Sequence, residues 1–255
     1  MKSSRLRLYS LFVAMFTLLV VISGATVTSS RGLFQNAHEI AGVADGLLVA
    51  GLSLWRRRGW SFLGLVVVDA GLGLFHGAAV GTLHACLGAL VLAWVAVISL
   101  KASQLWEREP EQVQDYGRPS LRFLSGLAAV LVGIQVALGA GFRHSAVGIL
   151  PHLLGAMVVA LFIMIVGAFV TTQFPKHGSL RPMAAALMTI TGIQVILGMA
   201  AFLMRLMNMA WTGVVVAISV AHVATGGMTL AVSIMLTLEI RRSVLPRAEE
   251  ETGSA

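Results

Sequence analysis

The chain has 255 residues, 57% hydrophobic and only 11% charged, with a formal net charge of +7. A soluble domain carries about 25% charged residues, so this composition excludes an ordinary soluble protein and predicts an integral membrane protein with spans of about 20 residues. The basic balance does not imply nucleic acid, because basic residues of membrane proteins collect in cytoplasmic loops; the single cysteine, Cys86, excludes internal disulfides, C-x-x-C-H attachment of haem, cysteine-ligated iron–sulfur clusters and Cys-rich zinc sites.

Eight apolar segments follow one another, at about 9–29, 36–55, 60–78, 80–101, 120–141, 147–171, 182–204 and 211–240. The first, around Leu11 to Val27, lacks a small-residue cleavage site and reads as a retained helix rather than a signal peptide. The last is longer than a bilayer needs and is expected to tilt or extend into water. Between the fourth and fifth lies QLWEREPEQVQDYGRPS, 103–119, the only long polar stretch inside the chain. The expected architecture is therefore all-α, with eight transmembrane helices as two tandem four-helix bundles. The N-terminal half covers 1–102, a cytoplasmic linker 103–118, the C-terminal half 119–242, and a disordered tail 243–255.

Orientation follows from the basic residues. With the N-terminus inside, all but three of the 18 Lys and Arg residues fall in inner segments; Arg31, Arg143 and Arg205 are outside. This asymmetry predicts cytoplasmic N- and C-termini in a multi-pass protein of the cell's inner (plasma) membrane.

The halves also resemble each other. GIQVALG, 133–139, recurs as GIQVILG, 192–198, and HACLGALVLA, 84–93, parallels HVATGGMTLA, 222–231. His38, His84, His152 and His222 stand near the start of the second, fourth, sixth and eighth segments, toward their outer ends. Four residues after each comes Gly42, Gly88, Ala156 or Gly226. A residue at i+4 lies one turn along the same helix face, so a small one leaves a shelf beside the imidazole on which a flat macrocycle fits. An ionisable residue in a span is costly unless it faces the bundle interior with a partner. His38 with His84, and His152 with His222, therefore read as facing pairs, and paired axial ligation of a haem iron is their most natural use. Zinc fits less well, since it wants more ligands close together. The competing readings are histidines bonded only to neighbouring helices and glycines that serve close helix packing.

Other polar residues are placed less sharply. Gln135 and Gln194 read as interhelical glue. Asp69 sits mid-span at their matching position, four residues before Gly73, where an acid costs about 2.5–3.5 kcal/mol on insertion scales. It is therefore expected to stay protonated and to be bonded across helices. Asp45 lies two turns from His38 on the same face. Arg143 and Arg205 read either as partners for haem propionates near the outer face or as interfacial anchors. His76 and His144 read as solvated, and His177 as a loop residue without a site role.

This frame, with a histidine opening each even segment, the Q-x-x-L-G pattern before it and GATVTSSRG at 24–32, resembles the haem A synthase family over residues of about 10–240. The resemblance implies a divergent member: an oxidoreductase that oxidises the C8 methyl of haem O to a formyl group for cytochrome oxidase assembly. It implies a resident haem b on His152 and His222, beside which Arg143 and Arg205 are the candidate cofactor-binding residues by position, and a substrate haem O on His38 and His84. It also implies haem O synthase and cytochrome oxidase subunits as partners beside membrane lipid, an electron donor, and possible homo-oligomers. The family's catalytic Glu, three residues before the first histidine, is Gln35 here; Gln cannot take a proton, so general-base chemistry is lost at that position. Glu39 stands where the family commonly has Arg, and the paired cysteines of some members are absent. Two alternatives stay open: a non-enzymatic di-haem b electron carrier, and a haem-free assembly or transport protein whose histidines pair with each other.

Overall fold

The computed structural model describes residues 2–30, 32–56, 60–115, 117–209 and 212–246. Arg31 lies outside the described residues. The chain is an all-α protein with nine helices among the described residues. The N-terminal unit contains α1 (Lys2–Ser29), α2 (Gln35–Arg56), α3 (Trp60–Gly73) and α4 (Ala78–Lys101). A single turn, α5 (Gln104–Glu107), follows. The C-terminal unit contains α6 (Leu121–Arg143), α7 (Ile149–Gln173), α8 (Leu180–Leu206) and α9 (Gly213–Ser243).

Seven of these helices are long and apolar enough to cross a membrane. The expectation of eight spans is not met by that measure. The third segment, expected over 60–78, is helical only to Gly73, and its apolar part runs Leu63–Gly73. The physical reason lies at its end: Leu74 and Phe75 donate back to Gly71 and Leu72 in a tight turn, and Gly77 takes a positive φ of 135°. The last span is long, as expected, at 31 residues.

Within each unit the helices form a closed ring. α1 packs on α2, α2 on α3, α3 on α4, and α4 on α1; α6, α7, α8 and α9 repeat the pattern in the same order. The units meet through the first and last helix of each, α1 and α4 against α6 and α9. Short connections alternate between two ends. The basal end carries Lys2, Lys101 and Ser243; the distal end carries the turns around Gly32, Phe75, Ser145 and Asn208. Distal turns close in left-handed conformations at Gly32, Ser145 and Asn208, with Gly32 N bonding Val27 O at 2.9 Å and Ala146 N bonding Gly141 O at 2.7 Å.

The apolar cores sit toward the basal end. In the N-terminal unit Val13, Val49, Leu52, Val91, Val95 and Ile98 pack together. In the C-terminal unit a larger cluster joins Leu121, Leu124, Val132, Ile163, Val170, Leu180, Leu187, Leu236 and Ile240. This filling of the basal levels leaves the distal level to small and polar residues.

The linker is not a loose tether. Asp115 accepts from Leu121 N at 2.7 Å and Gly117 N at 3.0 Å, fixing the entry to α6, which Ser120 caps. Arg242 stacks over Trp106 at 4.6 Å and donates to Leu105 O. The expected disordered tail also needs correction at its start. Ser243 ends α9, and β2 (Val244–Leu245) pairs in parallel with β1 (Val113–Gln114). Arg122 anchors that pairing by donating to Val244 O at 2.7 Å. The remainder, 247–255, lies outside the described residues.

Candidate functional site

The distal level of each unit holds two of the predicted histidines. α2 and α4 stand diagonally across the first ring, as α7 and α9 do across the second. A residue one turn or so from the distal end of such a helix therefore faces its partner across the bundle. His38 and His84 have ring centroids 6.2 Å apart with planes at 68°. His152 and His222 have centroids 6.2 Å apart with planes at 85°. The expected pairing is met twice, with one spacing.

Each ring is seated against a glycine of the preceding helix. A Cβ at Gly24 would stand 2.9 Å from His38 Cε1, and one at Gly139 would stand 2.9 Å from His152 Cε1. At Gly198 the distance to His222 Cε1 is 2.8 Å, and at Gly73 that to His84 Cε1 is 3.4 Å. Two of the rings also meet the main-chain oxygen of the residue four positions before their glycine, His84 at Asp69 and His222 at Gln194. Seat and bond lie one helical turn apart, on one face of α3 and α8. The four seats were not foreseen as functional, although the signal was present: Gly139 and Gly198 close the repeated GIQV motif, and Gly73 follows Asp69 at the same offset.

Hydrogen bonds fix the ring nitrogens. Ser23 Oγ donates to Val20 O, so at 2.8 Å its oxygen accepts from His38 Nδ1. His84 Nδ1 lies 2.8 Å from Asp69 Oδ1 and 3.0 Å from Asp69 O. His222 Nδ1 donates to Gln194 O at 3.1 Å. At these three rings the proton sits on Nδ1, which leaves Nε2 with its lone pair bare. His152 differs: the Gln135 amide nitrogen donates to its Nδ1 and to its main-chain oxygen, both at 2.9 Å, which puts the ring proton on Nε2. Among the described residues no hydrogen bond engages Nε2 of any of the four. A histidine held at one nitrogen by a carbonyl or carboxylate and open at the other is the usual arrangement of a metal ligand.

The spacing suits a metal ion between the rings. Metal–imidazole bonds of about 2 Å and ring C–N bonds of about 1.33 Å put the centroids of two rings clasping one ion end to end about 6 Å apart. No group of three or more His, Cys, Asp or Glu is placed to hold a metal among the described residues, so a four-ligand protein site of the structural zinc type has no basis there. Two imidazoles suffice for a macrocycle that brings its own four nitrogens. The shelves differ between units. Gly42 and Gly88 face open space, with nothing within 4 Å of a Cβ. Gly226, expected to be open, is covered instead by the Gln194 amide at 3.0 Å, and Gln135 lies against Gly155. These amides are the physical reason for the difference: they fill in the C-terminal unit what the N-terminal unit leaves clear.

The remaining predicted residues fall around this level. Arg143 donates to Ala25 O and Ser29 Oγ of α1, tying the C-terminal unit to the N-terminal one. Arg205 is exposed and lies over the Phe142 ring at 5.0 Å. Gln35 is exposed and donates to Glu39 Oε1 at 2.9 Å, so α2 does bring a carboxylate beside that position. Asp45 is 7% exposed and accepts from Thr17 at 2.8 Å. His76 is exposed, as expected. His144 is not freely solvated: its ring packs on Gly81 of α4, with Cε1 2.8 Å from where a Cβ would stand. Burial, then Arg143, then His84 push its pKa below the usual imidazole range. His177 is 5% exposed and lies at the basal end, where Nδ1 accepts from Leu180 N at 3.2 Å and closes the start of α8.

No protein-family model matches this chain, and no curated protein matches it.

Proposed function

We propose that the protein is a membrane oxidoreductase of the haem A synthase type, oxidising the C8 methyl of haem O to a formyl group. The single observation that carries the reading is the duplicated imidazole pair, 6.2 Å between centroids in both units, with Nε2 free of hydrogen bonds. His152 and His222 would hold the resident haem b, and His38 and His84 the substrate haem. Bound haem supplies one-electron redox chemistry at iron. The chain's own contribution is to orient: each glycine seat fixes a ring plane, and the Nδ1 contacts of His38, His84 and His222 fix the tautomer that leaves Nε2 open. The open shelves at Gly42 and Gly88 suit a group that must enter and leave. The covered shelf at Gly226 suits one that stays. Arg205, whose guanidinium is exposed, is placed to meet a propionate at the distal face; Arg143, whose Nη2 is engaged by α1, contributes as a tie and a nearby positive charge.

The proposed setting is the cell's inner membrane, with termini cytoplasmic and the histidine level facing outward. A haem O synthase supplies substrate, and cytochrome oxidase subunits receive product. The test is co-expression with a haem O source, followed by chromatography of the extracted haems. Haem A or a hydroxylated intermediate is expected. Haem b alone would retire the methyl oxidation.

A second reading has its own observation. Gln35 occupies the position of the family's catalytic acid, and the nearby Glu39 carboxylate is exposed and engaged with it. This favours a di-haem b electron carrier, which would yield haem b alone in the same experiment. A colourless protein would point to the haem-free assembly reading.

A further inference from the structure

The two imidazole pairs are alike in geometry and unlike in charge. His84 Nδ1 meets a carboxylate, Asp69 Oδ1, at 2.8 Å. Its counterpart His222 meets only a neutral main-chain oxygen, that of Gln194, at 3.1 Å. Asp69 and Gln194 hold the same place, four residues before the seating glycine. A second buried acid, Asp45, lies two turns from His38 on the same helix. The position matching Asp45, seven residues after His152, is Val159, and the Gln194 side chain is occupied by Thr225 and the Gly226 shelf.

These differences all act in one direction on an iron held between the rings. Ferric iron carries one more positive charge than ferrous iron. A carboxylate on the distal nitrogen makes an imidazole a stronger donor and stabilises the higher oxidation state. Burial in a bilayer strengthens the effect. We propose that Asp69, acting through His84, sets the N-terminal iron at a lower reduction potential than the C-terminal iron. Electrons therefore pass downhill from the N-terminal unit to the C-terminal unit. Asp69 is a positioning residue, since it touches the ligand and not the haem. The proposal rests on the haem reading above.

The test is a spectroscopic redox titration of the purified full chain supplied with haem b, in two single-site variants. His152→Ala leaves the N-terminal pair, and His38→Ala leaves the C-terminal pair. The N-terminal midpoint is expected below the C-terminal one. Asp69→Asn keeps the side-chain shape and is expected to raise the N-terminal midpoint by at least a tenfold change in the ferric-to-ferrous affinity ratio, about 59 mV for one electron. In the His38→Ala background the same substitution is expected to leave the C-terminal midpoint unmoved. An N-terminal midpoint that does not rise in Asp69→Asn, or that lies above the C-terminal one from the start, overturns the proposal and leaves the haem reading standing. Haem uptake confined to the C-terminal pair also overturns it. No uptake by either variant overturns both.

Discussion

Near the N-terminal histidines stand Ser23, Asp69, Asp45 and Thr17; at the matching places the C-terminal unit has Leu138, Gln194, Val159 and Val132. The shelves differ too, open at Gly42 and Gly88 and covered by the Gln194 amide at Gly226. The apolar core is also smaller in the N-terminal unit, whose third helix is the shortest of the eight that build the rings. One frame, duplicated, has been filled in two ways. Around its histidines the C-terminal unit is more filled and has no acid at these places, which suits a permanent guest. The N-terminal unit is roomy and acidic, which suits exchange and chemistry.

The largest expected effect breaks this comparison outright. His152→Ala or His222→Ala should remove the resident haem, whereas His38→Ala or His84→Ala should spare it, measured as haem extracted per mole of purified protein. Equal loss from both pairs would contradict the division of labour.

Glycine substitutions sharpen it next. Gly139→Val forces bulk against the His152 ring, where a Cβ alone stands 2.9 Å from Cε1. Overpacking of this kind costs about 1–3 kcal/mol, so both thermal stability in detergent and resident haem should fall. Gly88→Leu meets open space instead. Its stability should stay within about 0.5 kcal/mol of the parent, while haem uptake at the N-terminal pair is lost.

Thr17→Val tests the buried polar contact that only the N-terminal unit has. It leaves an Asp45 oxygen without its donor, a loss of about 1–3 kcal/mol for a buried group. Thermal unfolding should show the drop, with C-terminal haem content unchanged.

The smallest effect concerns the junction between units. Burial holds His144 below its usual range, so the unfolded chain binds more protons between that lowered value and about 6.5. The contribution is complete above about pH 6.5 and is lost as pH falls toward the folded value. His144→Gln should flatten the acid side of a stability-versus-pH curve measured in detergent.

The sequence carried much of this. Matched spacing of histidine and small residue exposed the duplication, and the GIQV repeat marked α6 and α8. Helix type and the two-unit division were legible because long apolar runs and a single polar break leave few alternatives. What remained hidden were contacts between helices. Periodicity sets which face a residue occupies, yet says nothing of the register of one helix on the next. That is why Asp69 appeared as a costly isolated acid until α3 placed it on His84. It is also why Gly24 was invisible in an ordinary apolar run, and why His144 seemed solvated although Gly81 leaves room for its ring. The end of the third segment was placed too late because apolar composition continues past Gly73 while the helix does not. The start of the tail was misjudged because strand pairing with residues 113–114 depends on a partner far away in the chain.

Electron paramagnetic resonance of the ferric, haem-loaded protein tests the central claim most directly, because it reports both the axial ligands and the angle between their planes. With imidazole planes at 85° in one pair and 68° in the other, the account predicts highly anisotropic low-spin signals, the more anisotropic one vanishing in His222→Ala. A high-spin five-coordinate signal, or the rhombic low-spin spectrum of parallel ligand planes, would contradict it.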